Sequence, residues 1–150
     1  MAALHDDRLP MAPIPVHQAF RTLRAAFTLL PIAAGADKFF DRLVVWPHYL
    51  ARPISEVLPW SPVAFMHAVG AAEILAGVVV AFYPIVGGWI VAGWLWAVII
   101  NLLLIPGHYD VALRDFGLSL GAVALSRLAA AFAVRVERGA FRVAERRPAA

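Results

Sequence analysis

The stretch from Pro62 to Phe82 is apolar and is interrupted only by His67 and Glu73. A helix of about 20 such residues rises about 30 Å, the thickness of a bilayer's hydrocarbon core. Glu73 then falls near the middle of the span. A carboxyl group is costly at that depth, so it must face the bundle interior, find a partner or stay protonated. This one stretch commits the chain to a membrane and marks a candidate site.

The rest of the chain agrees with a membrane address. Of its 150 residues, 62% are hydrophobic and 15% charged, against about half and a quarter in soluble domains. The composition predicts an all-α polytopic membrane protein, a four-transmembrane-helix bundle, with no length left for a soluble catalytic domain. There is no cysteine, which excludes disulfides, thiol redox chemistry and thiolate metal sites. The net charge of +3 does not point to nucleic acid, because the arginines flank apolar spans and suit lipid headgroups.

Read in order, residues 1–16 carry Pro10, Pro13 and Pro15 among charges and predict a mobile polar tail. The membrane domain, 17–134, holds spans at about 18–38, 62–82, 85–105 and 110–133, and 135–150 form a basic amphipathic tail. Arg21 and Arg24 enter the first span, whose apolar body is Ala25 to Ala36, and Pro31 predicts a kink. A rival reading makes this stretch a signal peptide ending at the A-x-A-like Ala34-Gly35-Ala36. Asp41 to Ser61 is too charged to span. Its Trp46, Tyr49 and Trp60 suit the interface, with a short amphipathic helix expected around Ile54 to Leu58. Tyr83-Pro84 with Gly87-Gly88 predicts a tight turn between the second and third spans, and Pro106-Gly107 ends the third.

Four spans put both termini on one side. Nine basic residues lie there: Arg8, Arg21, Arg24, Arg127, Arg135, Arg138, Arg142, Arg146 and Arg147. Four lie opposite: Lys38, Arg42, Arg52 and Arg114. The positive-inside rule therefore predicts cytoplasmic termini in a bacterial-type inner (plasma) membrane.

In that arrangement Asp37, Lys38, His67, Asn101, Arg114 and Asp115 fall at similar depth on the outer side, with Glu73 below them. Gly70, Glu73 and Gly77 share a face of the second span, and Asp115, Ser119, Ala122 and Ser126 form a small polar stripe on the fourth. Gly117 and Gly121 make a G-x-x-x-G on a neighbouring face. Two readings stand for each polar group. Glu73 either pairs with Lys38 or Arg114 to set helix register, or takes part in chemistry with Asp115. Arg114 and Asp115 either stabilise a helix start or line a pocket. His67 and Asn101 are either hydrogen-bonded core groups or pocket residues with Lys38 and Arg114. The tryptophans Trp89, Trp94 and Trp96 read as packing and interface residues. No second histidine lies deep in a span, which argues against haem, and no metal site is expected. Phosphate-binding, dinucleotide, zinc-protease and serine-nucleophile motifs are absent from the sequence.

Three elements resemble the DoxX-like family of small four-helix membrane proteins. They are Gly35-Ala36-Asp37-Lys38-Phe39, Gly70-Ala71-Ala72-Glu73-Ile74-Leu75-Ala76-Gly77 and Arg114-Asp115-Phe116-Gly117-Leu118-Ser119-Leu120-Gly121. They are similar to the family's Gly-x-x-Lys-Phe, Ala-x-Glu-x-x-x-Gly and basic-polar-x-x-Leu-x-x-Gly elements. The resemblance covers about residues 20–130, while the Trp-Pro-rich stretch Val44 to Trp60 departs from the shortest members. It implies an accessory subunit of a quinone-linked redox complex, such as thiosulfate:quinone oxidoreductase, or of a membrane complex for oxidative-stress defence. A membrane quinone would be the ligand and a redox-enzyme subunit the partner, since nothing in the chain itself carries electrons. Two other expectations stand beside this one. One is a small proton-coupled transporter using Glu73, which predicts a homo-oligomer because four helices enclose little pathway. The other is a structural or assembly subunit without chemistry.

Overall fold

The computed structural model describes residues 14 to 145, and the side chains of 14 to 134. All regular structure in that range is helical. The elements are α1 (Ile14–Asp37), a 3-10 turn at Trp46–Tyr49, α2 (Arg52–Ser55), α3 (Pro62–Phe82), α4 (Pro84–Leu103) and α5 (Tyr109–Glu145).

Proline starts several of these helices, because its missing N–H is not needed in the first turn. Ser61 caps α3, its hydroxyl accepting from the Ala64 N–H at 3.2 Å, and Pro62 follows. Pro84 opens α4 directly after Tyr83. The glycines expected in that turn, Gly87 and Gly88, instead lie inside α4 and are packing positions. A Cβ on Gly87 would sit 2.6 Å from the Val80 Cα, and one on Gly88 would sit 2.7 Å from the Ala122 carbonyl oxygen. They let α4 lie close against α3 and α5.

The helices alternate in direction. Along α1 and α3, Arg24 donates to the Ala81 carbonyl, Gly77 meets Thr28 and Ile32, Gly35 meets Gly70, and Phe39 stacks on His67. Phe20 lies beside Phe132 and Phe27 beside Gly121, so α5 also runs antiparallel to α1. The most extensive packing joins α1 to α3 and α4 to α5. The core between these pairs is built on Phe27, Val80, Val91, Ala122 and Leu125. Ser126 is 1% exposed and donates to the Ile85 carbonyl at 2.6 Å, while buried Ser119 donates to the Phe116 carbonyl at 2.7 Å. Both hydroxyls on the polar stripe of α5 thus find backbone acceptors, as a low-dielectric setting requires.

Three helices are long and apolar enough to cross a membrane: Pro62–Phe82, Pro84–Leu103 and Tyr109–Val134. The chain is a multi-pass membrane protein by that measure, in contact with lipid. Helix α1 is not among them. It has 24 residues, but polar His17, Gln18, Arg21, Thr22 and Arg24 occupy its first half. Only Ala25 to Ala36 is free of charged residues and largely apolar, with Thr28 inside it, about 18 Å of rise.

Several boundaries differ from expectation. The tail assigned to 1–16 ends earlier, since Ile14-Pro15-Val16 begin α1 with Pro15 in the tolerant first turn, and residues 1–13 lie outside the described range. The basic segment expected as a separate tail from 135 is a continuation of α5 to Glu145, because its Arg, Val, Glu and Ala residues include no proline to stop the helix. Residues 146–150 lie outside the described range. The amphipathic helix expected around Ile54 to Leu58 is a single turn, Arg52–Ser55, started at Pro53. Gly117 has nothing within 4 Å of a built Cβ, so only Gly121 of the G-x-x-x-G makes a helix contact, against Phe27.

Candidate functional site

The site begins with the chain reversal after α1. The Asp37 carboxylate accepts from the backbone N–H groups of Arg42 (3.2 Å) and Leu43 (3.1 Å) and from the Trp46 indole N–H at 2.8 Å. Asp41, at φ 49°, accepts from the Trp46 backbone N–H at 3.1 Å. Asparagine and aspartate tolerate this left-handed conformation better than other side chains. These bonds fold residues 38–46 back over the bundle and lay the Trp46 ring on Lys38, with the ammonium 3.6 Å from the ring centroid. That is a cation–π contact in a desolvated place.

Lys38 is only 5% exposed. Its Nζ donates to Glu73 Oε2 at 2.6 Å, a charge-assisted bond between the end of α1 and the middle of α3. The other carboxylate oxygen, Oε1, accepts a long 3.4 Å contact from the Trp94 indole of α4. The backbones approach closely enough for this pairing because of two glycines. A Cβ on Gly70 would lie 2.5 Å from the Gly35 carbonyl oxygen, and the reverse holds at the same distance. No side chain larger than hydrogen fits at that crossing without moving a backbone.

Asn101 does a different job. Its Nδ2 donates to the Tyr49 carbonyl at 2.6 Å and its Oδ1 accepts from the Ala51 N–H at 2.9 Å. One side chain of α4 thereby satisfies two backbone groups of the irregular segment above it, which would otherwise lack partners where Ala51 is buried. Tyr49 also meets His108 edge-on, at 5.1 Å between centroids.

Beneath this roof lies a cavity of about 620 Å³, bounded by α1, α3, α4, α5 and the Trp46–Ile54 segment. Its walls are mostly apolar, with Phe27, Leu30, Met66, Val91 and Leu95 among them. Its polar groups are Lys38, Glu73, Asn101, Arg114 and Asp115, with the indoles of Trp46 and Trp94 and the phenol of Tyr49. A volume between roughly 300 and 1,000 Å³ with a few converging polar groups is the usual form of a small-molecule site.

Five of the six residues singled out from sequence thus meet at one cavity, though in unequal roles. Lys38 and Glu73 form the buried pair. Asp115 is half-buried and faces the cavity. Arg114 does not reach Glu73: it donates to Asp110 one turn earlier, Nη2 to Oδ2 at 3.0 Å, with both side chains about 70% exposed (69% and 71%). Spacing i, i+4 on one helix favours that local partner over a crossing to α3. His67 is absent from the lining. It sits half-buried on the α1-facing side of α3 and stacks on Phe39, ring centroids 5.0 Å apart. Among the described residues no cluster of potential metal ligands occurs.

Trp46 and Trp94, which sequence reasoning assigned only to packing or the interface, also line this cavity. Both turn indole N–H groups or ring faces toward the charged pair. No periodicity links Asp37 to Trp46 or Trp94 to Glu73, because those contacts run through a loop and between helices. Comparison with known proteins found no matching family model, no similar curated protein and no similar solved structure.

Proposed function

We propose that this chain is a DoxX-like four-span protein of a bacterial-type inner membrane, with both termini cytoplasmic. In this reading it is an accessory subunit of a quinone-linked redox or oxidative-stress complex, and the cavity at Glu73 receives a quinone headgroup. The observation that carries the reading is the cavity itself. An apolar chamber opens beside an ion pair and a carboxylate between helices, the environment an amphiphilic ring with a hydrocarbon tail requires. The close antiparallel packing of α1 on α3 supports α1 as the fourth span, with its short apolar body matched by a locally thin bilayer.

Quinone chemistry at this depth needs hydrogen-bonding and proton-handling groups shielded from bulk water. Lys38 is held in place by Glu73 and Trp46, so its positive charge is oriented rather than free to snorkel. Glu73 and Asp115 supply two carboxylates at the cavity wall. Electrons would come from a partner subunit.

The test is quinone extraction from protein purified in mild detergent, wild type beside Glu73→Gln. The reading expects about one quinone per chain in wild type and a marked loss in the variant. Absence of quinone from both would sink it and leave transport or assembly as the role of the pair.

A further inference from the structure

The helices do not close on one another evenly. Gly35 and Gly77 hold α1 tightly to α3, and Gly88 holds α4 tightly to α5. Helix α1 meets α5 toward the end where α1 begins: Phe20 lies beside Phe132, and the Phe27 ring comes within 3.1 Å of a Cβ built on Gly121. One turn nearer the start of α5 that contact has ended, since a Cβ on Gly117 would meet nothing within 4 Å. At the same level Pro31 has no N–H to give the Phe27 carbonyl, which frees α1 to bend away from α5. Gly35 then carries it onto Gly70 of α3.

The gap left between α1 and α5 is continuous with the cavity. Leu30, Pro31 and Ala34 line the cavity from α1, and Arg114, Asp115 and Leu118 line it from α5. Side chains around a closed chamber are buried, yet Leu30 is 56% exposed and Leu118 42%. The cavity therefore opens outward between these two helices. Its top is covered by the segment around Tyr49 and Ala51, which Asn101 fastens to α4. The opening is also graded in polarity. Arg114 and Asp115 stand at one end of it, near Lys38, while Leu30 lies about 12 Å of helix rise from Lys38 and Leu118 about 4.5 Å from Asp115.

We infer that this gap is a lateral portal and the seat of the ligand's tail. The ligand enters sideways from the bilayer, its ring stops at Lys38, Glu73 and Asp115, and one hydrocarbon chain lies between Leu30 and Leu118 and runs out into lipid. This inference rests on the reading of the cavity as a quinone site and assigns the route and the tail position. A chain leaving lipid for this groove gains little from the hydrophobic effect, because lipid is as apolar as leucine. The groove therefore acts by shape, admitting a single chain at one place while the ring never has to cross water.

The probe is decyl-benzoquinone carrying an alkyl diazirine midway along its chain, added to full-length protein in nanodiscs. Quenching of tryptophan fluorescence reports the ring, and mass spectrometry after irradiation maps the chain. The expected result is labelling at residues 27–34 and 114–121 that an excess of plain decyl-benzoquinone removes. Leu30→Trp with Leu118→Trp fills the gap and should cut that labelling at least about tenfold, as overpacking does. Both positions are exposed, so the SDS stability of this variant should match wild type. Leu75→Trp with Leu103→Trp, on exposed apolar positions away from the cavity, should leave the labelling intact. Quenching accompanied by competed labelling elsewhere, or by labelling spread over Leu75 and Leu103, overturns the portal and leaves the quinone site standing. Labelling that survives in the Leu30–Leu118 variant, or falls equally in the Leu75–Leu103 variant, also overturns it. Neither quenching nor competed labelling in wild type overturns the quinone reading and the portal with it.

Discussion

The pair formed by Lys38 and Glu73 allows a decisive double-mutant cycle. The charges are 2.6 Å apart, with side chains 5% and 13% exposed. At an effective dielectric constant of 20 the attraction is about 6 kcal/mol, and removing both ions from water opposes it by a similar amount. The pair as a whole therefore adds little net stability, whereas one member left alone is strongly unfavourable, by about 3–5 kcal/mol. The two single variants should also differ. In Glu73→Gln, Lys38 keeps the Trp46 ring 3.6 Å from its ammonium, a contact of about 1–2 kcal/mol when desolvated. In Lys38→Met, Glu73 keeps only the long contact from Trp94. Lys38→Met is thus the more damaging of the two, and Lys38→Met with Glu73→Gln recovers most of the loss. The assay is unfolding by increasing SDS in mixed micelles, followed by circular dichroism, for all four proteins. Single costs that simply add in the double variant would refute the argument, since they would mean that the pair is not coupled. A fully stable double variant that has lost quinone would separate the structural role of the pair from its role in binding.

Two glycines of similar sequence setting should respond oppositely to alanine. Gly70→Ala places a methyl 2.5 Å from the Gly35 carbonyl oxygen and 3.0 Å from the Lys38 Cβ, so it should cost about 1–3 kcal/mol and loosen the ion pair. Gly117→Ala meets open space and should be neutral or stabilising by up to about 1 kcal/mol from helix propensity, both read by the same SDS titration. Orientation is open to a direct test because the chain has no cysteine. Glu56→Cys, at an exposed position between α2 and α3, should react with an impermeant maleimide on intact spheroplasts, and labelling only after permeabilisation would reverse the assigned topology.

The membrane character, the α3 boundaries and the position of Glu73 were legible in sequence because each depends on local properties. Apolar length sets a span, Ser61-Pro62 starts a helix, and 1.5 Å per residue places a carboxyl at depth. Convergence of Lys38, Glu73 and Asp115 on one side followed from the same arithmetic, since short connections force antiparallel neighbours. Which cation would meet Glu73 was not legible. Lys38 and Arg114 were equal candidates by depth, and the tertiary structure decided between them. Gly35 and Gly70 bring α1 against α3, whereas Arg114 has Asp110 one turn away on its own helix. Nor could sequence assign the roof. Asp37 gathers Arg42, Leu43 and Trp46, and Asn101 clasps the backbone of Tyr49 and Ala51, in contacts spanning up to 52 positions. Such bonds have no period to detect. They exist because a buried irregular backbone must find partners, and only the packed helices determine which side chains lie within reach.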